Sequence, residues 1–258
     1  MNHALAVILF VAMLVVIHQI LWFVISRYAK RVDVVDIAWG LNGVIIAWSA
    51  FLLNTYSVRT MLVAALVTVW GLRLALHLFV RIRHSPEDKR YQAIKDAWGA
   101  YGAVGIFLQI FLLQALLIMI VTSPVMVIAL TSGQHVGWLD LLGMFIWLIG
   151  FLCEMIADKQ LKDFMRESRQ RSEILDTGLW RYSRHPNFLG EIMQWWGVWL
   201  IAMHSPYGWL SIIGPLTITY FITCVSGIPL IERQLAQNPR YVDYQRTTSI
   251  LIPWFPKK

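Results

Sequence analysis

The stretch ALAVILFVAMLVVIHQILWFVI, residues 4–25, decides the fold class of this chain. It contains no Lys, Arg, Asp or Glu, and at 1.5 Å per residue it is long enough to cross the roughly 30 Å hydrocarbon core of a bilayer. No basic segment precedes it and no small-residue cleavage site follows it, so we expect a permanent helix and not a signal peptide. Six more apolar runs follow, at Ile37–Leu53, Met61–Val80, Val104–Val121, Trp138–Ile156, Phe188–Met203 and Trp209–Leu230. The sequence therefore predicts an all-α integral membrane protein with seven transmembrane helices.

The composition supports the same class. Of the 258 residues, 58% are apolar and 14% are charged, whereas soluble domains have about 45–50% and about 25%. A water-soluble enzyme is therefore excluded. Cys153 and Cys224 lie inside apolar runs without a CxxC or Cys/His spacing, so we expect no disulfide framework, metal site or redox motif.

The basic residues predict the orientation of the chain. Apart from Arg59 and Arg73, every Lys and Arg falls in alternate connections between the apolar runs or in the tail. The positive-inside rule then places the N-terminus outside and the C-terminus in the cytoplasm, and in a bacterium this would be the inner membrane. Basic residues gathered at one membrane face favour lipid over nucleic acid as the partner. The oligomeric state is not defined by the sequence, and a monomer is compatible with it.

The strongest local motif is GLWRYSRHPNFLGE, residues 178–191. Pro186 suits the first turn of a helix, where its missing N–H costs nothing, and His185 then takes the N-cap position. The free N–H groups of such a helix start, together with Arg184 and His185, favour a phosphate or pyrophosphate. The alternative is a basic cap that touches lipid phosphates.

Beyond this cap, Asn187, Glu191, Gln194 and Trp195 recur at spacings of four, three and one, so they share one helix face. Glu191 lies roughly 7–8 Å past Pro186 along the axis. We expect a carboxyl there to be neutral, because burial disfavours its charged form. A neutral carboxyl can donate a hydrogen bond to a substrate carbonyl. The alternative is an ordinary hydrogen bond between helices.

Residues 178–182, followed by Asn187-Phe188-Leu189-Gly190-Glu191-Ile192 and Trp195, resemble the C-terminal signature of the steroid 5α-reductases. The wider group includes Δ14-sterol reductases and many bacterial membrane proteins. The resemblance implies one seven-helix membrane domain that binds NADPH from the cytoplasmic side and reduces a carbon–carbon double bond conjugated to a ketone. The expected substrate is a steroid or isoprenoid enone. Helices within residues 1–130 would form the substrate side, and residues 131–258 would carry the cofactor-binding loop 158–186.

The resemblance also suggests roles for individual residues. Glu191 is the expected catalytic acid, with Tyr182 and Asp36 as further catalytic candidates. The cofactor candidates are Asp158, Lys162, Arg166, Trp180, Arg184, His185, Asn187 and Arg233. The substrate candidates are Trp39, Asn42, His77 and Trp195. Asp36, Trp39, Asn42 and His77 are chosen by position alone, because the Gln-Glu pair and the Tyr that complete the family's carbonyl site have no counterpart here.

Three alternatives stay open at this point. The tail with Arg233 is either a lid over the nucleotide or an interfacial segment anchored by aromatic residues. An Arg-His-Pro turn also occurs in membrane methyltransferases of the isoprenylcysteine carboxyl and phospholipid types, which bind S-adenosylmethionine. A transporter or lipid-binding scaffold is a third class, although the sequence shows no internal repeat.

Overall fold

A computed structural model of the chain describes residues 2–54, 56–98, 102–131, 136–167 and 173–256. Within these ranges the regular structure is helical, without strands. The helices are α1 His3–Ala29, α2 Val35–Leu52, α3 Val58–His84, α4 Lys89–Trp98, α5 Gly102–Val121, α6 Ser123–Thr131, α7 Trp138–Glu167, α8 Pro186–Ala202, α9 Gly208–Leu235 and α10 Pro239–Thr247. A π-helical segment, Phe107–Leu112, interrupts α5, and another, Phe221–Val225, interrupts α9.

Six of the described helices are long and apolar enough to cross a membrane: α1, α2, α3, α5, α7 and α9. The predicted all-helical membrane class is confirmed. The predicted run Phe188–Met203 forms α8, which has 17 residues and lies at the lower edge of the length that spans a bilayer. The count of seven spans and the orientation of the termini stay predictions.

The chain divides into two compact units. The first unit comprises residues 1–137 and 202–214, and the second comprises residues 138–201 and 215–258. The predicted assignment of residues 1–130 to substrate and of residues 131–258 to cofactor concerns function and stays a prediction.

In the first unit, Arg31 ties the turn after α1 to the end of α3. Its guanidinium forms an ion pair with Asp33 at 2.8 Å, and Nη1 donates to the backbone carbonyls of Ile82 at 2.7 Å and Ser85 at 2.8 Å. The hydrogen bonds to Asp33 raise the pKa of Arg31 and outweigh burial, which alone would lower it. The cation is therefore kept at this junction.

In the second unit, α7 and α8 approach so closely that their backbones touch. A Cβ on Gly190 would lie 2.5 Å from the carbonyl oxygen of Gly150, which is closer than any real side chain allows. Close approach through small residues is typical of helix pairs in membranes. Beside this contact, the buried Gln194 donates to Glu154 Oε2 at 2.6 Å. The start of α8 is thereby fixed against α7.

Candidate functional site

The turn that carries the first part of the sequence motif is held by the end of α7. It is a 3-10 turn at Gly178–Arg181. Gly178 has a φ of +61°, a left-handed backbone conformation that favours glycine. Trp180 is buried and donates from Nε1 to the backbone carbonyl of Ala157 at 3.2 Å.

The helix α8 begins at Pro186, as the sequence predicts. His185 precedes it, and its carbonyl accepts the N–H of Leu189 at 3.2 Å, which is the first bond of the helix. The His185 ring stacks on Phe188, with centroids 5.7 Å apart. Its Nε2 lies 2.7 Å from Glu232 Oε1. His185 is therefore both the N-cap and a partner of α9.

Arg184 is engaged inside the protein. Its Nε and Nη2 each lie 3.0 Å from a different carboxylate oxygen of Glu232. Its Nη1 donates to the backbone carbonyls of Gln245 at 2.7 Å and Thr248 at 3.0 Å. Four of the five guanidinium N–H donors are thus hydrogen-bonded to α9 and the tail. Cofactor binding by Arg184 stays a prediction.

The C-terminal tail lies along the loop before α8. The N–H of Arg184 donates to the carbonyl of Ser249 at 2.8 Å, and Ser183 Oγ donates to the carbonyl of Leu251 at 2.7 Å. The N–H of Trp254 donates to the carbonyl of Tyr182 at 3.0 Å. The tail is therefore held against this loop by main-chain and side-chain hydrogen bonds, and its role as a lid stays a prediction.

Two tyrosines of α10 complete this contact. Tyr241 donates to Glu232 Oε1 at 2.6 Å, and Tyr244 donates to the carbonyl of Trp180. Burial raises the pKa of Tyr241, and the hydrogen bond to Glu232 raises it further. Burial also raises the pKa of Tyr244. Both phenols therefore stay protonated well above neutral pH and remain donors.

A cavity of about 220 Å³ lies between these elements. Small-molecule sites are typically about 300–1,000 Å³, so this cavity is large enough for one ring-sized part of a ligand. Seven of its fourteen lining residues are apolar, and the other seven are polar, charged or phenolic. It is lined by Leu161, Phe164, Glu173, Ile174, Leu175, Trp180, Arg184, His185, Asn187, Ile231, Leu235, Asn238, Tyr241 and Tyr244.

Asn187 lines the cavity and carries a polar atom for which the described residues provide no partner. Its Nδ2 donates to Asp158 Oδ1 at 3.3 Å, so two predicted cofactor residues lie together. Its Oδ1 is buried and has no hydrogen-bond partner among the described residues. Buried polar atoms are nearly always hydrogen-bonded in native proteins. A ligand with an N–H donor would satisfy this atom.

The other predicted residues of the second unit have different surroundings. Glu191 is half-buried on α8, four residues after Asn187, and Trp195 is buried one turn further on. Tyr182 packs edge-on against Phe255, with ring centroids 6.0 Å apart. The three predicted basic residues outside the cavity wall are exposed: Lys162, Arg166 and Arg233. Of the predicted loop 158–186, residues 168–172 lie outside the described residues.

The remaining predicted residues belong to the first unit. Asp36 Oδ1 accepts a hydrogen bond from Tyr91 at 2.6 Å and one from Gln114 at 3.4 Å. Asn42 is fully buried. Trp39 and His77 are half-buried.

Sequence reasoning did not predict the partners of two residues that organise these regions. It placed Glu232 in the tail without a partner, whereas Glu232 binds Arg184 and His185. It also passed over His18, which contacts Asn42. The sequence contains a signal for both residues. A carboxyl among basic residues and a polar residue within an apolar span each need a partner.

The fold and the site define a multi-pass helical membrane protein with a cavity at the start of a short, glycine-packed helix. The chain belongs to the family described as "Protein of unknown function (DUF1295)", whose model matches residues 22–248. An uncharacterized protein of Schizosaccharomyces pombe is 26% identical to it over 77% of this chain and 67% of the relative. No solved structure gives a significant match.

The predicted resemblance to steroid 5α-reductases is confirmed by named relatives. The 3-oxo-5-alpha-steroid 4-dehydrogenase 1 of Bos taurus is 26% identical over 114 residues, which cover 44% of this chain and 41% of that protein. The 3-oxo-5-alpha-steroid 4-dehydrogenase 2 of Homo sapiens is 26% identical over 113 residues, with the same coverage. The match thus spans about two-fifths of these relatives, and their names describe their own activities.

Proposed function

We propose that this chain is a membrane-embedded, NADPH-dependent reductase of the carbon–carbon double bond in a lipophilic enone, such as a steroid 3-oxo-Δ4 compound or an isoprenoid. The observation that carries the proposal is Asn187, which lines a ring-sized cavity one helical turn before Glu191 and whose buried Oδ1 has no hydrogen-bond partner among the described residues. The named steroid dehydrogenases among the relatives support the same reaction class.

The residues around the cavity fit a nicotinamide nucleotide. The carboxamide of a nicotinamide offers N–H donors, and Asn187 Oδ1 is an acceptor that no described residue satisfies. Asp158 orients the Asn187 amide, and Trp180 forms part of the apolar wall. Our candidates for binding the phosphates are the exposed Lys162, Arg166 and Arg233. A flexible, solvent-exposed cation can reach a phosphate at the surface. When bound, NADPH would supply the hydride.

Glu191 is the proposed acid. Reduction of an enone builds negative charge on the carbonyl oxygen, and a donor must stabilise it there. A neutral Glu191 carboxyl can donate that hydrogen bond and pass its proton on. Tyr182 and Asp36 stay further catalytic candidates, and Trp39, Asn42, His77 and Trp195 stay candidates for binding the substrate.

The proposed setting is a multi-pass protein with seven spans and its site open to the cytoplasm. Arg184, His185 and Glu232 would hold the tail as a lid over the cavity, since their hydrogen bonds fix it to the start of α8. The chain would act on lipophilic substrates taken from the membrane, and a monomer is sufficient for this scheme.

Binding and turnover of the purified full chain test the proposal. In detergent or nanodiscs, we expect saturable binding of NADPH, no comparable binding of S-adenosylmethionine, and loss of NADPH absorbance only when an enone such as progesterone is added. Tight binding of S-adenosylmethionine alone would replace the reductase with a methyltransferase. Absence of NADPH oxidation with steroid and isoprenoid enones would favour a scaffold without catalysis.

A further inference from the structure

The first unit contains a cavity of its own, of about 350 Å³, at the end of α1. This volume lies within the usual range of small-molecule sites, about 300–1,000 Å³. Four of its seven lining residues are cationic and none is acidic. The lining residues are Ser26, Arg27, Lys30, Arg31, Val32, Lys95 and Ile106. A concave wall with charges of one sign concentrates ions of the opposite sign, so this cavity favours an anion.

Two of the four cations are held in place by acids behind the cavity wall. Arg31 forms an ion pair with Asp33 at 2.8 Å. Lys95 Nζ donates to the two carboxylate oxygens of Glu87 at 2.8 and 2.6 Å. An ammonium group has three donors, so Lys95 keeps one for a ligand. These pairs fix two positions of the wall and neutralise two of its four charges.

The other two cations, Arg27 and Lys30, supply the net charge of the cavity. The ion pairs between described residues include neither of them, and both residues are exposed. They stand at the C-terminal end of α1, where a helix carries a partial charge of about −0.5. The helix end therefore offsets only part of their two positive charges.

The backbone of Lys30 supports a role for its side chain. Lys30 has a φ of +56°, in the left-handed region, where a Cβ crowds the backbone and glycine is favoured. A lysine at this position costs conformational stability, and such residues cluster at binding sites. The lysine side chain supplies one of the two uncompensated charges of the cavity.

The surface next to the cavity is suited to lipid. α1 is a candidate membrane span, and its last turns expose Leu21, Val24 and Ile25. Tyr28 follows and is 86% exposed, and tyrosine is enriched at the membrane–water interface. These residues indicate that the cavity lies at the level of the lipid headgroups, directly after a surface for acyl chains.

We propose that this cavity binds the phosphate headgroup of an anionic phospholipid, whose acyl chains lie along the exposed apolar side of α1. Basic pockets beside membrane helices bind lipid headgroups that carry several charges. The two uncompensated cations match a headgroup with two phosphodiesters, as in cardiolipin. The site is built from α1, α4 and α5 of the first unit and does not depend on the reaction proposed above.

Native mass spectrometry of the purified full chain in detergent tests the site. Cardiolipin and phosphatidylcholine are titrated in turn. We expect one cardiolipin to bind about thirtyfold more tightly than phosphatidylcholine, because each of two basic residues contributes about fivefold. The double variant Arg27→Gln/Lys30→Gln should lose this preference.

Arg81→Gln/Arg83→Gln is the matched control. It removes the same charge from two exposed residues at the end of α3, which do not line the cavity. It should keep the preference for cardiolipin. Equal binding of the two lipids by the wild type would overturn the proposal. Equal losses in the two double variants would also overturn it, because they would indicate diffuse attraction to a basic surface.

Lys30→Gly separates lipid binding from folding. Glycine adopts the left-handed backbone without strain, so the unfolding temperature in detergent should equal or exceed that of the wild type. The affinity for cardiolipin should nevertheless fall about fivefold. A Lys30→Gly protein that keeps the wild-type affinity for cardiolipin would overturn the role of Lys30 in the site.

Soluble phosphates distinguish a lipid from a free anion. Inorganic pyrophosphate and NADPH carry phosphates without acyl chains, so neither should displace cardiolipin at equal concentration. Displacement by either would overturn the lipid assignment and give the cavity to soluble phosphates. None of these measurements uses turnover, so a failure of the lipid site is distinguishable from a failure of the proposed reductase.

Discussion

Glu232 and Arg184 form a two-point ion pair, with Nε and Nη2 each 3.0 Å from a different carboxylate oxygen, although 48 residues separate them in the chain. The pair joins the end of α9 to the residue two before α8. Since Arg184 also binds two tail carbonyls, this pair connects α9, α10 and the loop of the site.

Glu232→Gln should loosen the tail. The side chains of Arg184 and Glu232 are 9% and 14% exposed, so the substitution leaves a largely buried guanidinium without its counter-charge, at a cost of about 3 kcal/mol. We expect a lower unfolding temperature in detergent and faster tryptic cleavage at Arg240 and Arg246 in α10. Asp243→Asn is the control, because its pair with Arg246 is exposed and should contribute little. Equal cleavage rates in Glu232→Gln and the wild type would refute the role of the pair.

From the raised pKa values of the two tyrosines of α10, we expect the protein to lose stability at high pH. The pKa of Tyr241 and that of Tyr244 are raised by burial, so the folded phenols hold their protons more tightly than unfolded ones. Their contribution is complete below pH ~10 and is lost as the pH rises above that value. Unfolding temperatures from pH 8 to 11 should fall less steeply in Tyr241→Phe/Tyr244→Phe than in the wild type. The exposed Tyr28→Phe should follow the wild type, and a double variant with the wild-type slope would contradict the prediction.

Gly190→Ala tests the close contact of α7 and α8. The added Cβ would lie 2.5 Å from the Gly150 carbonyl, so the helices must separate, at a cost of about 2 kcal/mol. Gly102→Ala is the matched control, because a Cβ there meets no atom within 4 Å. The expected result is a lower unfolding temperature for Gly190→Ala only. Similar temperatures for both variants would show that the contact is not required.

Asn187→Ala should weaken NADPH binding before it affects anything else. It removes the acceptor in the cavity, and loss of one hydrogen bond corresponds to roughly tenfold in affinity. Fluorescence titration with NADPH measures the effect, and Asn54→Ala in the other unit should bind as the wild type does. Unchanged NADPH affinity in Asn187→Ala would show that Asn187 does not bind the cofactor.

The sequence predicted those features that depend on the residues of a single helix. The apolar runs predicted the candidate spans, and Pro186 marked the start of α8, because length and the missing N–H of proline are local properties. Spacing along one helix also placed Asn187 and Glu191 one turn apart.

Contacts between helices were not predictable in the same way. The pairing of Glu232 with Arg184 depends on how α9 packs against the loop before α8, and that of His18 with Asn42 depends on how α1 packs against α2. The partners are 48 and 24 residues apart in the sequence. The periodicity of one helix carries no information about contacts between residues so far apart in the chain. The same limit applies to the residues of the first unit that were chosen by position, such as Trp39 and His77.

The most direct measurement of the central claim is enone-dependent NADPH oxidation by the purified chain, compared between the wild type and Glu191→Gln at saturating NADPH. Glu167→Gln, an exposed carboxyl at the end of α7, is the control. Because Glu191 is proposed to act as the acid and not to bind the cofactor, we expect turnover to fall about a hundredfold with NADPH affinity unchanged, and Glu167→Gln to keep the full rate. A Glu191→Gln protein that reduces the enone at the wild-type rate would contradict the account.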